Sequence, residues 1–120
     1  LRGRWYGLNK DAALLRHILD EIDFLLSECE GVDAEDLMSD KVLSRACVRS
    51  LEIIGEAVKN VSQDMKDGHP EIDWRLIAGM RDKLIHQYFG IDWDVVTNVL
   101  NEEIRPLKAE IETLLLEVES

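Results

Sequence analysis

The sequence predicts an all-α protein, a single up-and-down bundle of four to five helices. Apolar residues recur at helical spacing through most of the chain, and no run of alternating β-branched residues reaches strand length. Aromatic content is 6%, with seven Gly and two Pro, too few breakers for a loop-rich fold. At 120 residues and 46% hydrophobic content, the chain suits one domain with one core and no need of covalent staples.

Leu1–Leu8 (LRGRWYGL) shows no period and is expected as an extended lead-in, partly an expression scar, to a domain over 9–120. From Asn9 onward, Ala12, Leu15, Ile18, Leu19, Ile22, Leu25 and Leu26 make the stripe of a first helix, with Gly31 as its stop. His17 lies near that stripe with no Cys or His at ligand spacing, and reads as structural. Val32–Asp40 is short and acidic, and places Leu37 and Met38 to plug the bundle from one helical turn.

Ser39 or Asp40 caps a long second helix, about 40–63, whose apolar arc runs from Val42 to Val61. Gly55 in its middle costs about 1 kcal/mol relative to Ala, which points to another backbone in close approach. Ser62–Pro70 reads as a loop, with His69 exposed in it. After the motif helix described next, Trp93, Val95, Val96, Val99, Leu100 and Ile104 mark a fourth helix. Pro106 interrupts it near the start of a fifth, where Leu107, Ile111, Leu114 and Leu115 close the core.

The stretch 71–94, EIDWRLIAGMRDKLIHQYFGIDWD, carries the chemistry. Asp73 is placed to cap a helix of about seventeen residues, Gly90 to end it in a left-handed turn, and Asp92 to cap the next. Within it, Arg81, His86 and Tyr88 spell R-x-x-x-x-H-x-Y. On a continuous helix Arg75, Gly79, Asp82 and His86 share one polar stripe, while Arg81 falls inside the apolar arc, where an unpaired guanidinium is strongly disfavoured. Glu56 on the second helix is the best-placed carboxylate to meet it. Equally, Arg45, Arg49, Glu52 and Glu56 form a stripe that reads as a solvated face of weak ion pairs. Arg81 and His86 are five residues apart, about 140° around and roughly 7.5 Å along a helix axis, so they converge only by wrapping or through a second copy.

The formal net charge is −11. That excludes nucleic-acid binding through a broad basic face and leaves a local cleft, for which Arg45, Arg49, Arg75, Arg81 and Lys83 are available; a basic or weakly charged protein partner is an equally natural use of the surface. Cys29 and Cys47 sit in apolar helical settings and read as buried thiols of a reducing compartment. No apolar run approaches the roughly 18 residues of a membrane span, and no secretory pattern opens the chain, so a soluble, cytoplasmic protein is expected. No Gly-rich phosphate loop, zinc spacing or nucleophile elbow occurs, and neither cofactor nor metal is expected.

R-x-x-x-x-H by itself is common by chance. Flanked by Gly79-Met80 before and Gly90-Ile91-Asp92 after, and with LEIIGEAVK at 51–59 upstream, the string resembles the HepT-like branch of the HEPN superfamily, densely over 41–108 and plausibly over 9–118. The resemblance implies a metal-independent ribonuclease toxin encoded beside a minimal nucleotidyltransferase antitoxin. It also implies a two-fold homodimer whose motif helices face each other, so that Arg81 and His86 of both copies line one cleft. Tyr88 would be the residue to which the nucleotidyltransferase adds AMP, silencing the toxin.

The chemistry suits the residue types. His86 can take the proton of a ribose 2′-hydroxyl near neutral pH, and Arg81 can hold charge building on the phosphate oxygens. Asp82, four residues before His86, is placed to orient the imidazole, and Arg49 and Glu56 to support the cleft. The competing reading is a non-catalytic helical module that docks a nucleotidyltransferase or a nucleotide, with Arg81 and His86 only contacting phosphate.

Overall fold

The computed structural model describes the backbone over residues 2–86 and 90–119, and side chains over 9–80, 82–83 and 90–119. It is all-α, as expected, apart from one ladder of two residues a side. Helix α1 (Arg2–Glu28) begins seven residues before Asn9, so 2–8 are helical and not an extended lead-in. Once a helix is nucleated each further residue adds a hydrogen bond, and the strong pattern downstream carries the weak one along. Leu15, Ile18, Ile22 and Leu25 of α1 are buried, and Gly31, at φ +82°, closes the turn that follows.

Helix α2 (Ala34–Ser39) is capped by Asp33. It buries Leu37 completely but leaves Met38 53% exposed, because neighbours on one helical turn point about 100° apart and only one can plug the core. Helix α3 (Lys41–Asn60) is capped by Asp40, whose carboxylate accepts from the Leu43 N–H at 2.9 Å. Its apolar arc is buried from Cys47 to Val58, while Val42, at the end, stays exposed. Cys29 and Cys47 are buried free thiols. Cys47 donates to Cys29; this bond, with burial, pushes the Cys47 thiol well up, and the same bond lowers that of Cys29.

The expected loop 62–70 contains a further helix, α4 (Gln63–Gly68). Ser62 caps it and is itself anchored by the buried Asp11, which accepts from the Ser62 N–H at 2.8 Å and from its hydroxyl at 2.6 Å. Gly68 and Pro70 thus mark the end of a short helix and not a whole loop. His69 is half-buried, not freely exposed: Nδ1 lies 3.1 Å from Glu71 and Nε2 3.0 Å from Glu117.

The motif segment departs most from expectation. It forms α5 (Trp74–Ala78) and α6 (Met80–Leu84), then a strand β1 (Ile85–His86) paired antiparallel with β2 (Gly90–Ile91), His86 opposite Gly90. Asp73 caps α5 as anticipated, and Asp92 caps α7 (Trp93–Asn98). Gly90 does adopt a positive φ, +79°, but it faces His86 across a ladder instead of ending a helix. Gly79 divides the segment into pieces of five residues, too short to be stable by helix propensity and dependent on packing. Beyond Leu84 the β-branched Ile85 and the positive-φ Gly90 let a ladder take over the backbone hydrogen bonds.

From Trp93 to Glu119 the chain stays helical: α7, a π-helical turn (Val99–Glu103), then α8 (Ile104–Glu119). Pro106 therefore does not split two helices. It has no N–H for the carbonyl of Glu102, and its ring crowds that carbonyl; the wider turn, in which the Ile104 N–H bonds to the Val99 carbonyl, absorbs the mismatch. Helix α1 packs between α3 and α8, and α5 and α6 pack on α3. Among the described residues no helix is long and apolar enough to cross a membrane.

Candidate active-site cleft

Helix α5 reaches α3 at a point where only glycine fits closely. A Cβ on Gly55 would lie 3.3 Å from the carbonyl oxygens of both Ile77 and Ala78, which is the close approach anticipated for this residue. Beside that seam opens a cleft of about 330 Å³ lined by Arg49, Glu52, Glu56, Lys59, Ala78 and Asp82. Three helices contribute: the stripe of α3 forms one wall, and α5 and α6 the other.

Arg49, Glu56 and Asp82, all singled out from sequence, are brought together here. Arg49 is 71% exposed and meets Glu52 only at 3.8 Å along its own helix, an ion pair worth a few tenths of a kcal/mol by its geometry. Its guanidinium is therefore only weakly held. Lys59 was not anticipated, yet it continues the Arg49–Glu52–Glu56 stripe by one more step of three. Extending that stripe was the signal that would have found it. Of the other candidate cations, Lys83 lies 3.8 Å from Glu103 on the π-helical turn, and Arg45 and Arg75 are exposed outside the cleft lining.

Arg81 immediately precedes Asp82 on α6, and His86 lies beyond the helix on β1. Two sequence expectations are thereby corrected. Asp82 and His86 are not four residues apart on one helical stripe, and the 140° separation of Arg81 and His86 does not apply, because the helix joining them stops at Leu84. The side chains of Arg81 and His86, all of Tyr88, and with them the expected Glu56–Arg81 contact, lie outside the described residues.

The family model described as "Ribonuclease HepT-like" matches residues 18–114, a range that includes Arg49, Glu56, Arg81, Asp82, His86 and Tyr88. The chain belongs to that family, within the HEPN superfamily, and its class is that of a ribonuclease. It is 46% identical over 101 residues to a protein of Caldanaerobacter subterraneus subsp. tengcongensis named "Putative RNase", covering 84% of this chain and 90% of that one. A "Probable ribonuclease HepT" of Thermococcus cleftensis is 45% identical over 100 residues, covering 83% and 91%. A "Putative RNase" of Methanocaldococcus jannaschii is 39% identical over 107 residues, covering 89% and 88%. No solved structure matches the chain.

Proposed function

We propose that the protein is a metal-independent endoribonuclease toxin that cuts RNA at the cleft between α3 and α5–α6. The observation that supports this most is the convergence of Arg49 and Lys59 with Asp82, next to Arg81, in a cleft on an otherwise acidic chain of net charge −11. Arg49 and Lys59, beside Glu52, Glu56 and Asp82, supply local cationic contacts for a phosphodiester on a chain whose net charge disfavours a broad one.

In this reading His86 takes the proton from a ribose 2′-hydroxyl and the freed oxygen attacks the adjacent phosphorus. Its bond to phosphorus forms as the bond to the 5′-oxygen breaks, leaving a 2′,3′-cyclic phosphate and a 5′-hydroxyl that gains a proton. Arg81, with Arg49, offsets the charge that grows on the non-bridging oxygens. Two copies related by a two-fold axis would bring a second Arg81 and His86 to the same groove. AMP added to Tyr88 by a nucleotidyltransferase antitoxin would put negative charge two residues from His86, where substrate phosphate must lie, and so silence the enzyme.

The test is cleavage of RNA in excess EDTA by the purified chain. Arg81→Ala and His86→Ala should each abolish it with the thermal melt unchanged. Cleavage that requires added divalent ions, or survives both substitutions, would overturn the assignment. A chain that never cuts RNA but binds a nucleotidyltransferase and gains adenylate mass on the Tyr88 peptide would identify the non-catalytic module instead.

A further inference from the structure

On the far side of α5 from the cleft lies a second cavity, also about 330 Å³, between α5–α6 and the π-helical turn with the start of α8. Its floor is apolar, with Leu76, Ile77, Met80 and Leu107 contributing, and Leu76 is one of the few large apolar side chains left substantially open among the described residues, at 46% exposure. Its rim is acidic, with Glu71, Asp73, Glu102, Glu103 and Glu110, and no Lys or Arg is among the described residues that line it. Two rim carboxylates already meet a basic side chain, Glu103 with Lys83 at 3.8 Å and Glu71 with His69 Nδ1 at 3.1 Å.

The π-helical turn matters here. Such turns are rare and are frequently found at functional sites. This one, set by Pro106, carries both Glu102 and Glu103 on the wall of the groove. An apolar trough between two helical walls is the shape that receives a third helix, its large side chains entering the trough and its flanks meeting the rim.

We infer that this groove docks a basic amphipathic helix of a protein partner, with leucine-like side chains on the apolar floor and Lys or Arg against the five rim carboxylates. The charge argues against the other occupants. RNA would meet five carboxylates, and a second copy using the same face about a two-fold axis would set those carboxylates against their own counterparts. This inference is independent of the ribonuclease assignment.

The experiment uses the full chain and a fluorescently labelled, amidated helical peptide of about 18 residues, with Leu at positions i, i+3, i+4 and i+7 and Lys or Arg elsewhere, read by anisotropy at about 0.15 M salt. Leu76→Asp should weaken binding by about tenfold or more, although it makes the chain more acidic, a change that would strengthen mere charge attraction. Glu102→Gln with Glu110→Gln should weaken it by about fivefold. Glu35→Gln with Glu112→Gln, which removes the same charge elsewhere, should change it by less than about twofold.

Equal effects of the two double variants, tighter binding by Leu76→Asp, or equal binding of a peptide with Glu in place of its Lys and Arg would each overturn the inference. So would a Leu76→Asp chain that turns from dimer to monomer while still binding the peptide, since the groove would then belong to a second copy. Leu76 is open to solvent and both double variants change only surface or rim carboxylates, so loss of folding does not obscure the reading.

Discussion

Gly55 is the position at which one methyl group tests the whole cleft. In Gly55→Ala two effects oppose. Replacing a mid-helix glycine favours α3 by about 1 kcal/mol. The new Cβ, however, stands 3.3 Å from two carbonyl oxygens, of Ile77 and Ala78, so α5 must retreat by a few tenths of an ångström. Gly79 follows directly and its N–H bonds to the Arg75 carbonyl at 3.0 Å, so the junction between α5 and α6 moves with it. The expected result is a stability change within about 1 kcal/mol of zero, with RNA cleavage reduced, because the wall carrying Ala78 and Asp82 shifts against Arg49 and Lys59. Gly55→Val forfeits most of the propensity gain and adds two methyls against the same carbonyls, for a loss of about 1–3 kcal/mol, or very roughly 4–12 °C in Tm for a domain of this size. Urea titration and thermal melts measure the first quantity, and initial rates on labelled RNA in EDTA the second. A Gly55→Val chain that melts and cuts like the wild type would refute the close approach and its role in the cleft.

Other consequences are as direct. Asp11→Ala leaves the half-buried Ser62 N–H and hydroxyl without their shared acceptor, and should cost about 1–2 kcal/mol by urea denaturation, with α4 loosening first in hydrogen exchange. Trp74→Phe keeps the buried ring but removes the 3.0 Å bond from Nε1 to the His69 carbonyl, for about 1 kcal/mol by the same assay. The hydrogen bonds from Arg105 hold the Glu30 carboxyl below its ordinary value of 4.5, and the folded pKa is therefore the lower one. The stabilisation is complete above that ordinary value and fades as pH falls through the depressed folded value. Melts between pH 7 and pH 3 should thus show a smaller acid loss in Glu30→Gln than in the wild type, and the difference should shrink in high salt because the pair is exposed.

Local signals in the sequence were read correctly where their cause is local. Asp40, Asp73 and Asp92 cap helices because each carboxylate satisfies an N–H three residues on. Gly31 ends a helix because a positive φ is open to it, and the mid-helix Gly55 marks a close approach because nothing else recovers its propensity cost. The buried arcs of α1, α3 and α8 follow from helical period, and the family resemblance carried by 51–59 and 70–92 is met by the match over 18–114.

The failures arose where neighbours decide. Whether the motif stays helical past Leu84 depends on packing against α3 and on pairing with Gly90–Ile91, so the stripe joining Asp82 to His86 was an extrapolation of period beyond the helix that supports it. Helix α4 depends on Asp11, fifty-one residues away, and the π-helical turn on how Pro106 is absorbed without parting α7 from α8. The sequence alone determined the helical class, the caps and the residue types able to do phosphodiester chemistry, because each depends on contacts within a turn or two. Only the tertiary structure decided that Arg49, Lys59 and Asp82 share one cleft and that five carboxylates ring another, because proximity between distant segments is set by how the helices pack, not by the residues' spacing along the chain.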